Sequence, residues 1–352
     1  MKKAHLISLV IMAGPALVLN AAYRIGTFSW AKAANKFTDL LVPGTIIGLS
    51  LVRLIRTITL PNPPQCNVDE NIHRQYELWG KAFYKSLLHD ASMSWWQRIW
   101  LKYFPPSIHF TQEQWDDTDS NATNYLNRIF IRADKTNRSP EFQYHTLAHE
   151  FMHYAQCHSL IQHMYRYLIL PSIAGSISTL SYRYIAKKIP SLKHAHYIHL
   201  ILPAACIIQY EALLKIAKST FLKCLEHTQE LEAESLTCIR LDRLGMGANN
   251  SLRTSIACHT FGSISLASNV KKTHSGYPTS SEFLHNVLKT AQLNYYKNIR
   301  KYSPSLTHKA AREKTLNWIK YTIDYTWRNY DHLNTLQDYM FLFRLAEITA
   351  PQ

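Results

Sequence analysis

Acidic residues are in short supply. The 352-residue chain holds 24 Asp and Glu against 39 Lys and Arg, a formal net charge of +15 at pH 7. That excess suits an anionic neighbour, lipid headgroups or nucleic acid. Charged residues are only 18% of the chain, below the usual quarter for soluble domains, while 47% are hydrophobic. The six cysteines (66, 157, 206, 224, 238 and 258) show neither paired nor zinc-ribbon spacing, which excludes a disulfide framework and favours a reducing compartment. Glycines number 10, and no glycine-rich loop is present to cradle a phosphate. Internal repeats and a serine or cysteine triad pattern are also missing. The length suits one large domain or two small ones.

What is present is concentrated in one stretch, His145-Thr146-Leu147-Ala148-His149-Glu150-Phe151-Met152-His153-Tyr154-Ala155-Gln156-Cys157-His158. Inside it lies an H-E-x-x-H. On a helix, residues four apart share a face, so His149 and His153 can hold one metal ion between them. Glu150 is turned away from that chelate but stays close enough to take a proton from a bound water. Neutral imidazole suits zinc, and water on zinc has a pKa of about 7. The bland alternative is a pair of ordinary histidines in a chain that has 18 of them. It is weakened by small Ala148 and by Phe151, Met152 and Tyr154, which make this a buried helix.

Two apolar stretches precede the motif. Residues 4–23 follow Lys2-Lys3 without a charge other than a protonated His5, long enough to span a bilayer as an uncleaved anchor. Residues 40–60 are a weaker span, interrupted by Arg53 and Arg56, which can snorkel. Pro61-Asn62-Pro63-Pro64 ends it. The aromatic and basic run Trp95-Trp96-Gln97-Arg98-Ile99-Trp100-Leu101-Lys102-Tyr103-Phe104 reads equally as an interfacial helix or as a core helix. Asn121-Ala122 and Arg128-Ile129-Phe130-Ile131-Arg132 read as short extended pieces, the second half-buried by its alternation.

Beyond the motif, apolar stretches at 167–182 and 195–210 flank basic Arg183, Lys187, Lys188 and Lys193. Their small residues, prolines and flanking Tyr and Lys favour a membrane hairpin over a buried one. The segment Glu226-His227-Thr228-Gln229-Glu230-Leu231-Glu232-Ala233-Glu234-Ser235 is helical by propensity. A catalytic zinc needs a third protein ligand, and Glu230 can serve, with Glu234 one turn on to bond a ligand histidine. Glu226, Glu232 and His227 compete with it. From about 282 to 345 the chain reads as aromatic-rich helices packed on the core.

These residues resemble the membrane-embedded zinc metallopeptidases typified by HtpX, the CAAX prenyl protease type 1 and the OMA-type quality-control protease. The shared features are H-E-x-x-H with a further histidine five residues on (His158), an E-x-E-A-D element (Glu230-Leu231-Glu232-Ala233-Glu234, with Glu for the final Asp), and Asn-Ala ahead of an I-F-V strand (Asn121-Ala122, Ile129-Phe130-Ile131). The layout match covers about 1–245. The family usually has a small residue where Met152 stands, and its His-Pro…Arg element has only a faint echo in His308 and Arg312.

The resemblance implies a mainly α fold with a small β-sheet: a zincin-like core with N-terminal apolar segments and an inserted apolar hairpin. The expected parts are 1–60 (membrane segments), 61–164 (strands and motif helix), 165–215 (hairpin) and 216–352 (third-ligand helix and C-terminal helices). It implies one zinc on His149, His153 and Glu230, Glu150 as general base, Glu234 behind the ligands, and Asn121 and Ala122 on an edge strand that takes substrate. The implied activity is endopeptidase cleavage in membrane protein quality control, on polypeptide substrates and in contact with lipid, with no nucleic acid partner. The implied place is a bacterial cytoplasmic membrane, catalytic part facing the cytoplasm. Rival readings are a soluble zincin-like protein or an inactive basic module that binds membrane surfaces or nucleic acid.

Overall fold

A computed structural model of the chain describes residues 66–90, 92–112, 122–136, 139–188, 198–260, 278–329 and 336–351, with Gly48 and Val52. The apolar segment 4–23, most of 40–60, and Asn121 lie outside the described residues. The fold is mainly helical with one small sheet. It divides into two compact units.

The larger unit comprises Asn62–Gln162 and Lys223–Gln352. It opens with α1 (Glu70–Leu88), whose N-terminus is capped by the Asp69 carboxylate accepting from Asn71 N–H at 2.8 Å. Tyr76, Gly80, Phe83 and Leu87 recur at helical spacing and form its buried face. Gly80 is there because of a close approach. A Cβ at that position would sit 2.7 Å from the Ile108 side chain, with the Phe151 ring next.

Helix α2 (Trp95–Tyr103) has one buried face and one exposed face. Gln97 and Leu101 are buried, whereas Trp95, Ile99 and Tyr103 are exposed. Three strands follow: β1 (Ser107–Thr111), β2 (Ala122–Tyr125) and β3 (Arg128–Arg132), in the order β1-β3-β2. β3 pairs parallel with β1 and antiparallel with β2, so it is central and β2 is an edge. The half-buried strand expected at 128–132 is therefore corrected. Ile129, Phe130 and Ile131 are all buried, because the His109 ring covers Phe130 on the second face at 5.4 Å.

The motif helix α3 (Pro140–Ala155) starts with Pro at its first turn and Glu141 near its positive end. Met152, where the resembled family has a smaller residue, is buried in the same core as Phe83, Phe151 and Ile131. Next come α4 (His158–Met164), α7 (Lys223–Leu241), α8 (Ala248–Thr260), α9 (Ser280–Tyr302), α10 (His308–Asn329) and α11 (Leu336–Ile348). The last four close a second core around Leu252, Ile256, Leu288 and Ile319 that backs α7 through Cys238. Asn286 on α9 donates to the Leu231 carbonyl of α7 at 2.7 Å.

The described part of the second unit lies mainly within His163–Leu222. It is a hairpin of α5 (Leu170–Lys188) and α6 (Ile198–Ala217). Ala174, Ser178, Tyr210 and Leu214 are buried, whereas Ile173, Leu180, Ile208 and Ile216 are more than half exposed. Among the described residues no helix is long and apolar enough to cross a membrane.

The rotation of α7 about its axis is held by an ion pair between Arg240 and Asp90, with side chains 8% and 6% exposed. Asp90 stays below the ordinary carboxylate range because bonds from Ser92 and Arg240 outweigh its burial. Its stabilising effect is thus complete above the unfolded pKa of about 3.9 and is lost as pH falls through the lower folded value. Asp90→Asn should cost about 3–5 kcal/mol, since it leaves Arg240 buried and unpaired. Urea unfolding at pH 7 measures this, and a loss under 1 kcal/mol would refute the pinning role.

Candidate metal centre

His149 and His153 lie one turn apart on α3, and Glu230 comes from α7 packed across it. Their donor atoms converge. His149 Nε2 is 3.0 Å from His153 Nε2, and Glu230 Oε2 is 3.2 and 3.4 Å from these two nitrogens. Atoms bound about 2.0–2.1 Å from a tetrahedral ion lie roughly 3.3 Å apart, so the spacing fits a metal. Lone pairs of two imidazoles and a carboxylate pointing at one spot repel unless a proton or a metal ion lies among them. The three residues form the one such group of His, Cys, Asp and Glu among the described residues.

The outward nitrogens are also held. His149 Nδ1 donates to Glu234 Oε2 at 3.0 Å, and the other oxygen, Oε1, accepts from His145 Nε2 at 2.9 Å. Glu234 is 1% exposed. Its extra methylene, compared with the Asp of the resembled family, accompanies use of both oxygens. His259 Nε2 is 3.0 Å from the same Oε1, but out of line for a hydrogen bond. Ser255 Oγ is 3.1 Å from His145 Nε2.

Burial pulls the His149 pKa down, but bonds to Glu230 and Glu234 outweigh it and raise it to about 10. Burial pushes the Glu150 carboxyl up to about 8, opposed by His149 and reinforced by Glu230. Glu230 and Glu234 resist burial and sit below the ordinary range, Glu230 through His153 and His149, Glu234 through His145 and His259. The electrostatics thus hold Glu230 and Glu234 ionised against His149, and leave Glu150 as the buried carboxyl that binds a proton most readily.

Comparison with known protein families, curated proteins and solved structures finds no match to this chain.

Of the sequence candidates, His149, Glu150, His153, Glu230 and Glu234 are brought together. Ala122 lies on β2, the edge strand packed on α3. The rivals for third ligand are not in the cluster: His227 faces Glu282 at 3.2 Å and Glu232 faces His158. His308 meets Tyr296 on an exposed surface. Two contributors escaped the sequence reading. His145 stands four residues before His149, so the same i, i+4 rule would have found it. His259 arrives from α8 with no local signal.

Purified protein should carry about one metal ion per chain. His149→Ala and His153→Ala should each empty the site, as read by plasma mass spectrometry. Full retention in both would exclude the triad as the binding place.

Proposed function

We propose that the chain is a zinc-dependent endopeptidase associated with a membrane, of the kind it resembles: HtpX, the CAAX prenyl protease type 1 and the OMA-type protease. The supporting observation is the convergence of His149, His153 and Glu230 within 3.4 Å, with Glu150 buried beside them. Two nitrogens and one carboxylate oxygen make a three-ligand set that leaves a fourth position for water or substrate, the pattern of catalytic rather than structural zinc. When bound, zinc supplies a Lewis acid that polarises a carbonyl and acidifies water.

The residues of the chain do the rest. A substrate strand adds to the edge of β2, which sets the scissile bond alongside α3. Glu150 accepts the proton of the attacking water and returns it to the leaving amine. Glu234 keeps Nδ1 of His149 protonated so that Nε2 faces the ion. The zincin-like core is inferred from this arrangement of edge strand, motif helix and ligand helix.

Membrane association rests on the apolar segment 4–23, on the outward Ile and Leu of the α5–α6 hairpin, and on the aromatic face of α2. The net charge of +15 suits anionic lipid. We infer damaged or misassembled membrane proteins as substrates, a cytoplasmic face for the catalytic unit, and no nucleic acid partner. A soluble zinc protease would share the metal and the cleavage without the anchoring, and an inactive basic module that binds membrane surfaces or nucleic acid would lack the cleavage.

Glu150→Gln should keep its zinc and its fold while lowering cleavage of an unfolded substrate by at least 100-fold, since general base catalysis contributes about 10²–10⁴. Glu230→Gln should instead lose zinc, because an amide is a poorer ligand than a carboxylate. Zinc content and cleavage measured in parallel test both; an active Glu150→Gln would remove the assigned base. The chain should also stay with membranes through alkaline carbonate and require detergent, and quantitative release by carbonate would favour the soluble rival.

A further inference from the structure

We propose that Glu232 and His158 form a relay that orients His153 toward the metal, the counterpart of Glu234 acting on His149. The inference rests on the metal reading above and assigns work to two residues which that reading leaves without any.

The evidence begins in the backbone. On an uninterrupted helix a residue five positions on lies about 140° around the axis, so His158 could not face His153. The helix is interrupted. Cys157 takes the left-handed region at φ 56°, a conformation that costs a residue with a Cβ and usually falls to glycine at a helix C-terminus. Its N–H bonds the Tyr154 carbonyl at 3.0 Å, and α4 restarts at His158. The turn brings His158 Nδ1 to 3.0 Å from His153 Nδ1, with the His158 side chain 3% exposed.

Hydrogen placement then follows. His153 Nε2 faces the triad with its lone pair, so the hydrogen is on Nδ1, which donates to His158. His158 must accept at Nδ1 and therefore carries its own hydrogen on Nε2. That nitrogen lies 3.4 Å from Glu232 Oε2. The order is Glu232, His158, His153, ion, and each link fixes the tautomer of the next. The outer link is longer and Glu232 is half exposed, so it should matter less than His158.

The test uses purified full-length protein in detergent, zinc affinity by competition with a chromophoric chelator, and the visible absorption of the cobalt-substituted form. His158→Ala should weaken zinc binding about 10–100-fold and change the cobalt spectrum. His158→Asn places an amide oxygen close to the Nδ1 position and should restore most of the affinity. Glu232→Gln should weaken binding by less than tenfold and have no further effect on the His158→Ala background. Glu232 is at the surface, so its variant should fold even if His158→Ala does not. Wild-type affinity, within twofold, and an unchanged cobalt spectrum in His158→Ala, or in Glu232→Gln where His158→Ala does not fold, would overturn the relay while leaving the metal site intact. A wild-type chain without affinity for zinc would overturn the metal reading and the relay with it.

Discussion

One buried carboxylate holds the site together. Glu234 is almost fully enclosed, accepts from His145 and His149 of α3, and lies against His259 of α8. Taking a charge out of water costs several kcal/mol even after relaxation, and it is tolerated only where partners converge on it. Here the partners come from two other helices. The requirement to satisfy Glu234 therefore fixes α7 against α3, and that docking places Glu230 beside His149 and His153. Around it, apolar packing supplies the favourable side of the balance. Phe83, Leu147, Phe151, Met152 and Tyr154 are essentially fully buried, each worth about 1.5–3 kcal/mol.

Strain gathers at the same place. Among the described residues, the non-glycine residues with positive φ are Leu126 and Cys157. Leu126 sits in the two-residue turn between β2 and β3, and its N–H donates to Ser159 Oγ at 3.0 Å. Cys157 precedes His158 and Ser159 directly. One break at the end of the motif helix thus presents His158 to the ligand His153 and Ser159 to the hairpin of the edge strand. Such conformations cost of order 1–3 kcal/mol and persist where surrounding contacts over-determine them. Gln97 and Phe104, which hold Gln156 and Tyr154 through bonds of 2.6 and 2.7 Å, are part of that support.

The helices after α8 back the site without entering it. Their core packs behind α7 and α8, and from α8 come Ser255 and His259 at the rim of the Glu234 cluster. The aromatic-rich C-terminal helices expected from the sequence have this supporting place. In the hairpin α5–α6, Ala174 and Ser178 of one helix and Tyr210 and Leu214 of the other are buried, and Ile173, Leu180, Ile208 and Ile216 are exposed.

The sequence by itself determined what is local. An i, i+4 pair with an intervening glutamate needs only a helix, so His149, Glu150 and His153 were legible from their spacing, as were a predominantly helical fold and short strands near 122 and 130. The tertiary structure decided the choice among the acidic residues of α7, because Glu226, Glu230, Glu232 and Glu234 differ by the rotation of that helix about its axis, which Arg240 and Asp90 help to set. It decided that β3 is central, since its parallel partner Ser107–Thr111 follows two prolines and carries no strong strand pattern. It also decided the place of His158, because no local rule foretells a left-handed cysteine at the end of a helix. Contacts one turn apart are fixed by helix geometry, whereas contacts 80 to 110 residues apart depend on how the helices dock.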